Sequence, residues 1–162
     1  MEMMNNLVTI LCIGIGATLV MDVWTMLLKA AGMPTLNYAF VGRWIGHWGN
    51  GTFFHAPIGK AAPVRGETLM GWFVHYAVGI VFAAALVLLY GTAWVQQPTV
   101  WPAVKVGLVT VVMPWLIMQP AFGAGIAASR TPAPWKSRLQ SVATHAVFGV
   151  GMYVAAVVLQ SL

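Results

Sequence analysis

Apolar residues dominate four long stretches of the chain, and polar residues are concentrated between them. The stretches cover residues 7–28, 68–90, 104–122 and 139–159. Each is close to the roughly 20 residues that a helix needs to cross the hydrocarbon core of a bilayer. The polar and apolar alternation of a transmembrane barrel is absent. The pattern predicts an all-α polytopic membrane protein, a four-helix transmembrane bundle that forms one domain over residues 1–162.

Composition and charge narrow this class further. The chain has 162 residues, of which 60% are hydrophobic and 7% are charged, whereas soluble domains carry about 25% charged residues. The net charge is +5, and most of the basic residues lie in the connections beside the apolar stretches. Contacts of these residues with lipid headgroups explain the positive charge. We therefore expect the lipid bilayer and its anionic lipids as partners, and no nucleic acid. The single cysteine, Cys12, excludes a disulfide framework and a thiolate metal cluster.

The distribution of basic residues predicts the orientation. Seven of the eight Lys and Arg residues lie in two connections, residues 29–67 and 123–138. The positive-inside rule places both connections in the cytoplasm and both termini in the periplasm of a bacterial inner membrane. Trp94 and Trp101 would then lie at the outer interface. Small residues on the helix faces favour helix contacts between copies, so a homo-oligomer is expected.

The first connection contains a regular aromatic pattern. Phe40, Trp44 and Trp48 recur at four-residue spacing and are followed by the turn sequence of residues 49–51. This spacing predicts a short interfacial helix between the first and second spans, with its aromatic side chains in contact with lipid.

Two spans carry a matching stripe of small residues around a histidine. The stripes are Gly71-x3-His75-x3-Gly79 and Ser141-x3-His145-x3-Gly149, and their small residues leave room for a neighbouring helix or a ligand. Residues 69–82 align with residues 139–152 without a gap. The match predicts a repeat of two helical hairpins, a 2+2 arrangement.

Polar residues of the spans are predicted to lie at one depth near the cytoplasmic face. These candidate ligands are Asp22, Glu67, His75 and His145, with His47, His55 and Gln119 as accessory ligands. Imidazole and carboxylate groups bind divalent metals, and inside a bundle they also relay protons. The leading prediction is therefore a membrane protein that binds or translocates a cation or a proton.

Other interpretations of the same residues stay open. His75 and His145 could ligate haem b axially in a redox-active protein. A basic rim would then bind haem propionates or anionic lipid headgroups; its members are Arg43, Arg65, Lys136 and Arg138. A metal-dependent membrane enzyme acting on lipid headgroups is a third interpretation. The polar residues could also serve helix packing alone.

Four motifs resemble those of a family of uncharacterised small four-helix bacterial inner-membrane proteins. The motifs are GAGIAAS at residues 123–129, H-x2-F-G at 145–149, GRW at 42–44 and GE-x3-GW-x2-HY at 66–76. The resemblance covers nearly the whole chain and implies the fold and the membrane location. It implies no catalytic or binding residue, so a function must be argued from the polar residues themselves.

Overall fold

The chain is built from helices joined by turns, as described by a computed structural model of residues 2–161 with side chains from residue 6 onward. The outermost residues of the predicted domain, Met1 and Leu162, lie outside the described residues. Four segments are long and apolar enough to cross a membrane: Asn6–Ala30, Glu67–Gln96, Val100–Ala121 and Pro134–Gln160. The described residues contain no β-strand. The predicted all-helical fold with four spans is confirmed, and the chain is a multi-pass membrane protein.

Three of the spanning helices, α1, α3 and α6, extend beyond the apolar stretches that predicted them. Their bounds are α1 Glu2–Ala30, α2 Tyr38–Gly46, α3 Glu67–Gln96, α4 Val100–Val109, α5 Gln119–Ala121 and α6 Pro134–Gln160. A proline is well suited to start α6, because the first turn of a helix needs no donor there. Within α3, Gly91 has non-helical angles (φ 74°, ψ 173°), which coincides with the predicted end of this span at residue 90.

The third span is not one continuous α-helix. A π-helical segment, Pro114–Met118, separates α4 from α5. Proline removes a backbone donor and clashes with the preceding turn, so the wider π turn follows from Pro114. The first span, α1, is continuous by contrast, and the two predicted hairpins therefore differ at this point.

The short helix α2 lies between the first and second spans, where the sequence predicts one; its location at the membrane interface stays a prediction. The Asn37 side chain accepts a hydrogen bond of 3.0 Å from the Ala39 backbone N–H at its start, which is the usual role of an N-cap asparagine. A 3₁₀ turn, His47–Asn50, follows α2 and ends at Gly51 in the left-handed conformation (φ 71°). Glycine adopts this conformation without steric cost, so the predicted end of the helix is also confirmed.

The aromatic residues after the start of α2 have different surroundings. Trp44 packs edge-on against Phe122 with 5.9 Å between ring centroids, and its indole donates a 2.8 Å hydrogen bond to the Phe53 carbonyl. Trp48 is 42% exposed. Contact with lipid stays a prediction for Trp48, whereas Trp44 contacts other protein residues.

Contacts between residues divide the chain into two compact units. Unit 1 contains the residues up to Thr35, Tyr76–Thr110, and the residues from Ala143 onward; unit 2 contains Leu36–His75 and Val111–Val142.

In unit 1, helices meet at small residues around a fully buried core that includes Ile13, Leu86 and Met152. A Cβ atom at Gly149 would lie 2.7 Å from the Cα atom of Val104, and Gly107 of α4 faces Gly149. Gly79 similarly faces the Thr18 side chain of α1. Both histidine stripes thus provide helix contacts at the glycine that follows the histidine, Gly79 and Gly149.

Also in unit 1, Trp94 is 5% exposed and its indole donates a 3.1 Å hydrogen bond to the Thr99 carbonyl. The predicted interfacial tryptophan at this position is therefore buried against protein, while Trp101 is 69% exposed. A buried indole needs a hydrogen-bond acceptor, and the turn after α3 supplies it.

Unit 2 has its own core of Val41, Ile58, Ala121 and Phe122. Helix α2 crosses the first turns of α3 at two glycines, Gly42 and Gly71. A Cβ atom at Gly42 would overlap the Glu67 carbonyl oxygen, and one at Gly71 would overlap the Tyr38 carbonyl oxygen. Only glycine permits this approach of two helix backbones.

Backbone hydrogen bonds in unit 2 tie the first connection to the end of the third span. The His55 N–H donates to the Ala121 carbonyl at 2.8 Å, and the Ile58 N–H donates to the Phe122 carbonyl at 3.1 Å. Residues 55–58 are thereby held beside the end of α5.

Candidate functional site

A carboxylate and a phenol meet inside unit 1. The Tyr76 hydroxyl on α3 donates a hydrogen bond of 2.8 Å to Oδ2 of Asp22 on α1. Asp22 is 9% exposed, so its side chain faces protein and not lipid. Both residues belong to membrane spans, where ionisable groups are costly and commonly functional.

Tyr76 was not predicted as a site residue, although it adjoins His75 in sequence. Successive residues of a helix point about 100° apart, because a turn contains 3.6 residues. Tyr76 therefore does not share a face of α3 with His75, but it does share one with Gly79, three residues later. On α1, Thr18 and Asp22 are four residues apart and also share a face. Gly79 faces Thr18, so the helix face that carries Tyr76 meets the helix face that carries Asp22. The position of Tyr76 three residues before Gly79 is the sequence signal that could have identified it.

His145 of α6 forms a second polar pair in unit 1. Its Nδ1 atom lies 2.8 Å from the Thr110 hydroxyl oxygen, and that hydroxyl donates to the Gly107 carbonyl at 2.6 Å. A hydroxyl has one proton to donate, so Nδ1 of His145 must carry the proton of the imidazole. Neutral His145 therefore retains an unprotonated Nε2. Thr110 was not predicted.

A third polar contact of unit 1 joins α1 to α6. The Trp24 indole donates a 3.2 Å hydrogen bond to the Thr144 hydroxyl. Thr144 precedes His145 in sequence, so α6 contributes adjacent residues to two polar contacts. Neither Trp24 nor Thr144 was predicted as a site residue.

His75 belongs to unit 2 and lies among aromatic rings. Its imidazole stacks on Tyr38 with 4.1 Å between ring centroids and a 27° interplanar angle. The Trp72 ring lies at 5.8 Å, edge-on. These contacts place α2 against the start of α3 through aromatic stacking.

Glu67, a predicted ligand, is engaged by Arg43, a predicted headgroup-binding residue. Arg43 is 8% exposed, and its guanidinium contacts both carboxylate oxygens of Glu67 at 2.7 and 2.9 Å. The same guanidinium donates to the carbonyls of three residues: Ile58, Gly59 and Ala61. The hydrogen bonds that Arg43 donates to the Glu67 carboxylate raise the pKa of Arg43 above its usual value. The pair joins α2 to α3, and headgroup binding by Arg43 finds no support in this geometry.

His47 and His55, the predicted accessory ligands, contact each other. Nδ1 of His47 lies 2.8 Å from Nε2 of His55, and Nε2 of His47 lies 3.0 Å from the Ala62 carbonyl oxygen. A carbonyl only accepts, so neutral His47 carries its proton on Nε2. Its Nδ1 then accepts the hydrogen bond that the Nε2–H of His55 donates. Burial, followed by the charge of nearby His47, lowers the pKa of His55.

Gln119, the remaining accessory ligand, lies in unit 2 at the start of α5. Its Oε1 atom is buried and has no hydrogen-bond partner among the described residues. The other basic residues of the predicted rim, Arg65, Lys136 and Arg138, are exposed. Arg138 donates a 2.8 Å hydrogen bond to the Ala127 carbonyl.

The predicted ligands do not form a metal-binding cluster in the described residues. No group of three or more His, Cys, Asp or Glu side chains among them is arranged to hold a metal ion. The ligand set predicted from the sequence consists of Asp22, Glu67, His75 and His145. The predicted shell of these four residues finds no support, and haem ligation by the two histidines stays a prediction.

Comparison with known proteins adds a family and no ligand. Residues 11–159 match the family described as "Protein of unknown function (DUF2938)". No curated protein and no solved structure matches the chain. The match confirms the predicted resemblance to an uncharacterised family.

Proposed function

The chain belongs to the DUF2938 family, a family of unknown function, and we propose that it binds and releases a proton at Asp22 within the membrane, as part of proton translocation. The observation that carries the proposal is the hydrogen bond from Tyr76 to Asp22 between two membrane spans.

The chemistry of the pair suits reversible protonation. A charged carboxylate within a bilayer costs about 2.5–3.5 kcal/mol or more, and protonation removes this cost. The Tyr76 hydroxyl offsets part of it by donating to the charged form, because hydrogen bonds to charged groups are stronger than those between neutral groups. Uptake of a proton by Asp22 weakens this bond, and release restores it.

A proton fits the described residues better than a metal cation. A metal ion in a protein needs about four ligands from side chains, backbone or water, and the described residues contain no cluster of three or more suitable side chains. A proton needs one basic atom, and Asp22 supplies a carboxylate oxygen. His145, whose Nε2 is unprotonated in its neutral form, is a second proton acceptor in the same unit.

Proton flux into proteoliposomes tests the proposal. The purified protein is reconstituted with pyranine inside the vesicles, and a potassium diffusion potential is imposed with valinomycin. We expect acidification faster than in protein-free vesicles. Asp22→Asn should reduce the rate to the protein-free level, and Tyr76→Phe should slow it while leaving it measurable.

Two controls make the result specific. Tyr90→Phe removes an exposed phenol of the same helix and should leave the flux unchanged. Infrared difference spectra between high and low pH supply a second readout, since protonation of Asp22 produces a carboxylic acid band that Asp22→Asn lacks. Wild-type flux in Asp22→Asn, or an unchanged band, would overturn the proposal.

A further inference from the structure

A cavity of about 350 Å³ lies in unit 2 beside the end of α5. Its lining residues are Phe54, Pro120, Gly125, Ile126, Ser129 and Arg130. One part of this lining is apolar, and Phe54 and Ile126 are 72% and 61% exposed. The other part carries a hydroxyl and a guanidinium group.

The two polar side chains of the cavity are not engaged within the protein. Neither the Arg130 guanidinium nor the Ser129 hydroxyl forms a hydrogen bond or ion pair with another residue in the described part of the chain. Arg43 and Arg138 differ, since the first is paired with Glu67 and the second donates to the Ala127 carbonyl. The Arg130 guanidinium lines the cavity and is free to bind an anion there.

The loop that forms the cavity has an unusual backbone. Ala127 and Ala128 both have positive φ angles, 47° and 58°, which are uncommon for residues with a side chain. The Arg130 N–H donates to the Ala124 carbonyl at 2.8 Å, which helps to hold this conformation. Such backbone strain is concentrated at functional sites in proteins.

Gly125 keeps the cavity open. Its φ angle is 75°, and a Cβ atom at this position would overlap the hydroxyl oxygen of Ser129. A side chain there would occupy the space in front of the hydroxyl. The cavity therefore depends on glycine at this position for both its backbone and its volume.

We propose that this cavity binds the phosphate group of an anionic amphiphile, with Arg130 and Ser129 on the phosphate and Phe54 and Ile126 on the apolar part. Guanidinium groups match phosphate oxygens in geometry and charge. Pro120 belongs to the third membrane span, so the cavity lies at the end of a span, where lipid phosphates are found. This site is independent of the proton site at Asp22.

Calorimetric titration of the full chain in neutral detergent tests the site. The probes are dihexanoyl phosphatidic acid, dihexanoyl phosphatidylcholine and inorganic phosphate, each corrected for a titration into empty micelles. We expect saturable binding of phosphatidic acid, at least tenfold weaker binding of the other two probes, and a loss of about tenfold in affinity for phosphatidic acid in Arg130→Gln. Lys60→Gln, which removes the charge of an exposed lysine in the first connection, should leave the affinity unchanged.

A second variant distinguishes the contribution of the phosphate group to binding from that of the apolar part of the ligand. Phe54→Ala should weaken binding of phosphatidic acid without changing binding of inorganic phosphate, and it should not affect folding because Phe54 is largely exposed. Equal affinity for phosphatidic acid and inorganic phosphate would overturn the proposal that the ligand is an amphiphile. Equal losses in Arg130→Gln and Lys60→Gln would show diffuse attraction to the basic surface and overturn the site. The absence of saturable binding would also overturn it.

Discussion

The guanidinium of Arg43 contacts both carboxylate oxygens of Glu67, with Nε 2.9 Å from Oε2 and Nη2 2.7 Å from Oε1. The side chains are 10% and 15% exposed. Oε2 of Glu67 also accepts the Val64 backbone N–H at 2.9 Å. One ion pair therefore joins α2, the turn before α3, and α3 itself.

Breaking this pair should destabilise the protein strongly. Arg43→Met leaves the Glu67 carboxylate without its cation, and removing one partner of a buried ion pair typically costs about 3–5 kcal/mol. The free energy of unfolding by SDS in mixed micelles measures the effect. Arg65→Met, at an exposed arginine, serves as the control and should change stability by less than about 0.5 kcal/mol.

The same pair should show coupling in a double-mutant cycle. We expect Arg43→Met with Glu67→Gln to cost less than the sum of the single changes, because the double variant has no unpaired charge. Additive losses would show that the two side chains contribute independently.

The pair of His47 and His55 should make stability depend on pH. Since burial and the charge of His47 lower the pKa of His55, the unfolded chain binds a proton at His55 more readily than the folded chain. Above the usual histidine pKa of about 6.5, His55 is neutral in the folded and the unfolded chain, and the free energy of unfolding has its full value. As pH falls below about 6.5, the unfolded chain takes up a proton at His55 before the folded chain does, and the free energy of unfolding decreases. Stability therefore rises with pH in this range.

Thermal unfolding in detergent at pH 7.5 and pH 5 checks this dependence. The fall in midpoint on acidification should be smaller in His55→Gln than in the wild type, because glutamine does not titrate. Thr52→Gln, at an exposed neighbour, should retain the wild-type fall. An identical fall in all three proteins would contradict the prediction.

Enlarging Gly149 should disrupt the contact between α4 and α6. A Cβ atom there would lie 2.7 Å from the Cα atom of Val104, so Gly149→Leu should cost about 1–3 kcal/mol or more through overpacking. Val150→Leu, at the next residue, which is 41% exposed, should be nearly neutral. The comparison uses SDS unfolding, and equal losses in the two variants would show that the contact at Gly149 is unimportant.

The orientation in the membrane rests on the distribution of basic residues and can be tested directly. In a Cys12→Ser background, a cysteine replacing Gln97 should react with an impermeant thiol reagent in intact bacterial cells. A cysteine replacing Thr52 should react only after lysis, because the first connection is predicted to be cytoplasmic. Both positions are exposed, and the reverse labelling pattern would reverse the orientation.

The hydrophobic pattern by itself determined the helices. A membrane span must satisfy its backbone hydrogen bonds internally, so a long apolar stretch predicts a helix without reference to the rest of the fold. The same local logic predicted α2 from its aromatic spacing, and the end of the following helical turn at Gly51. It also predicted helix contacts at Gly79 and Gly149, because a small residue on a helix face permits close approach wherever the partner comes from.

Only the tertiary structure decided which polar groups meet. The sequence predicted a cluster from equal depth in the bilayer, yet Asp22 pairs with Tyr76, His145 with Thr110, and Glu67 with Arg43. Depth follows from position along a helix, whereas a contact also requires two particular faces to meet. Which faces meet depends on how the helices pack, and neighbouring residues such as His75 and Tyr76 can have different partners because they point in different directions.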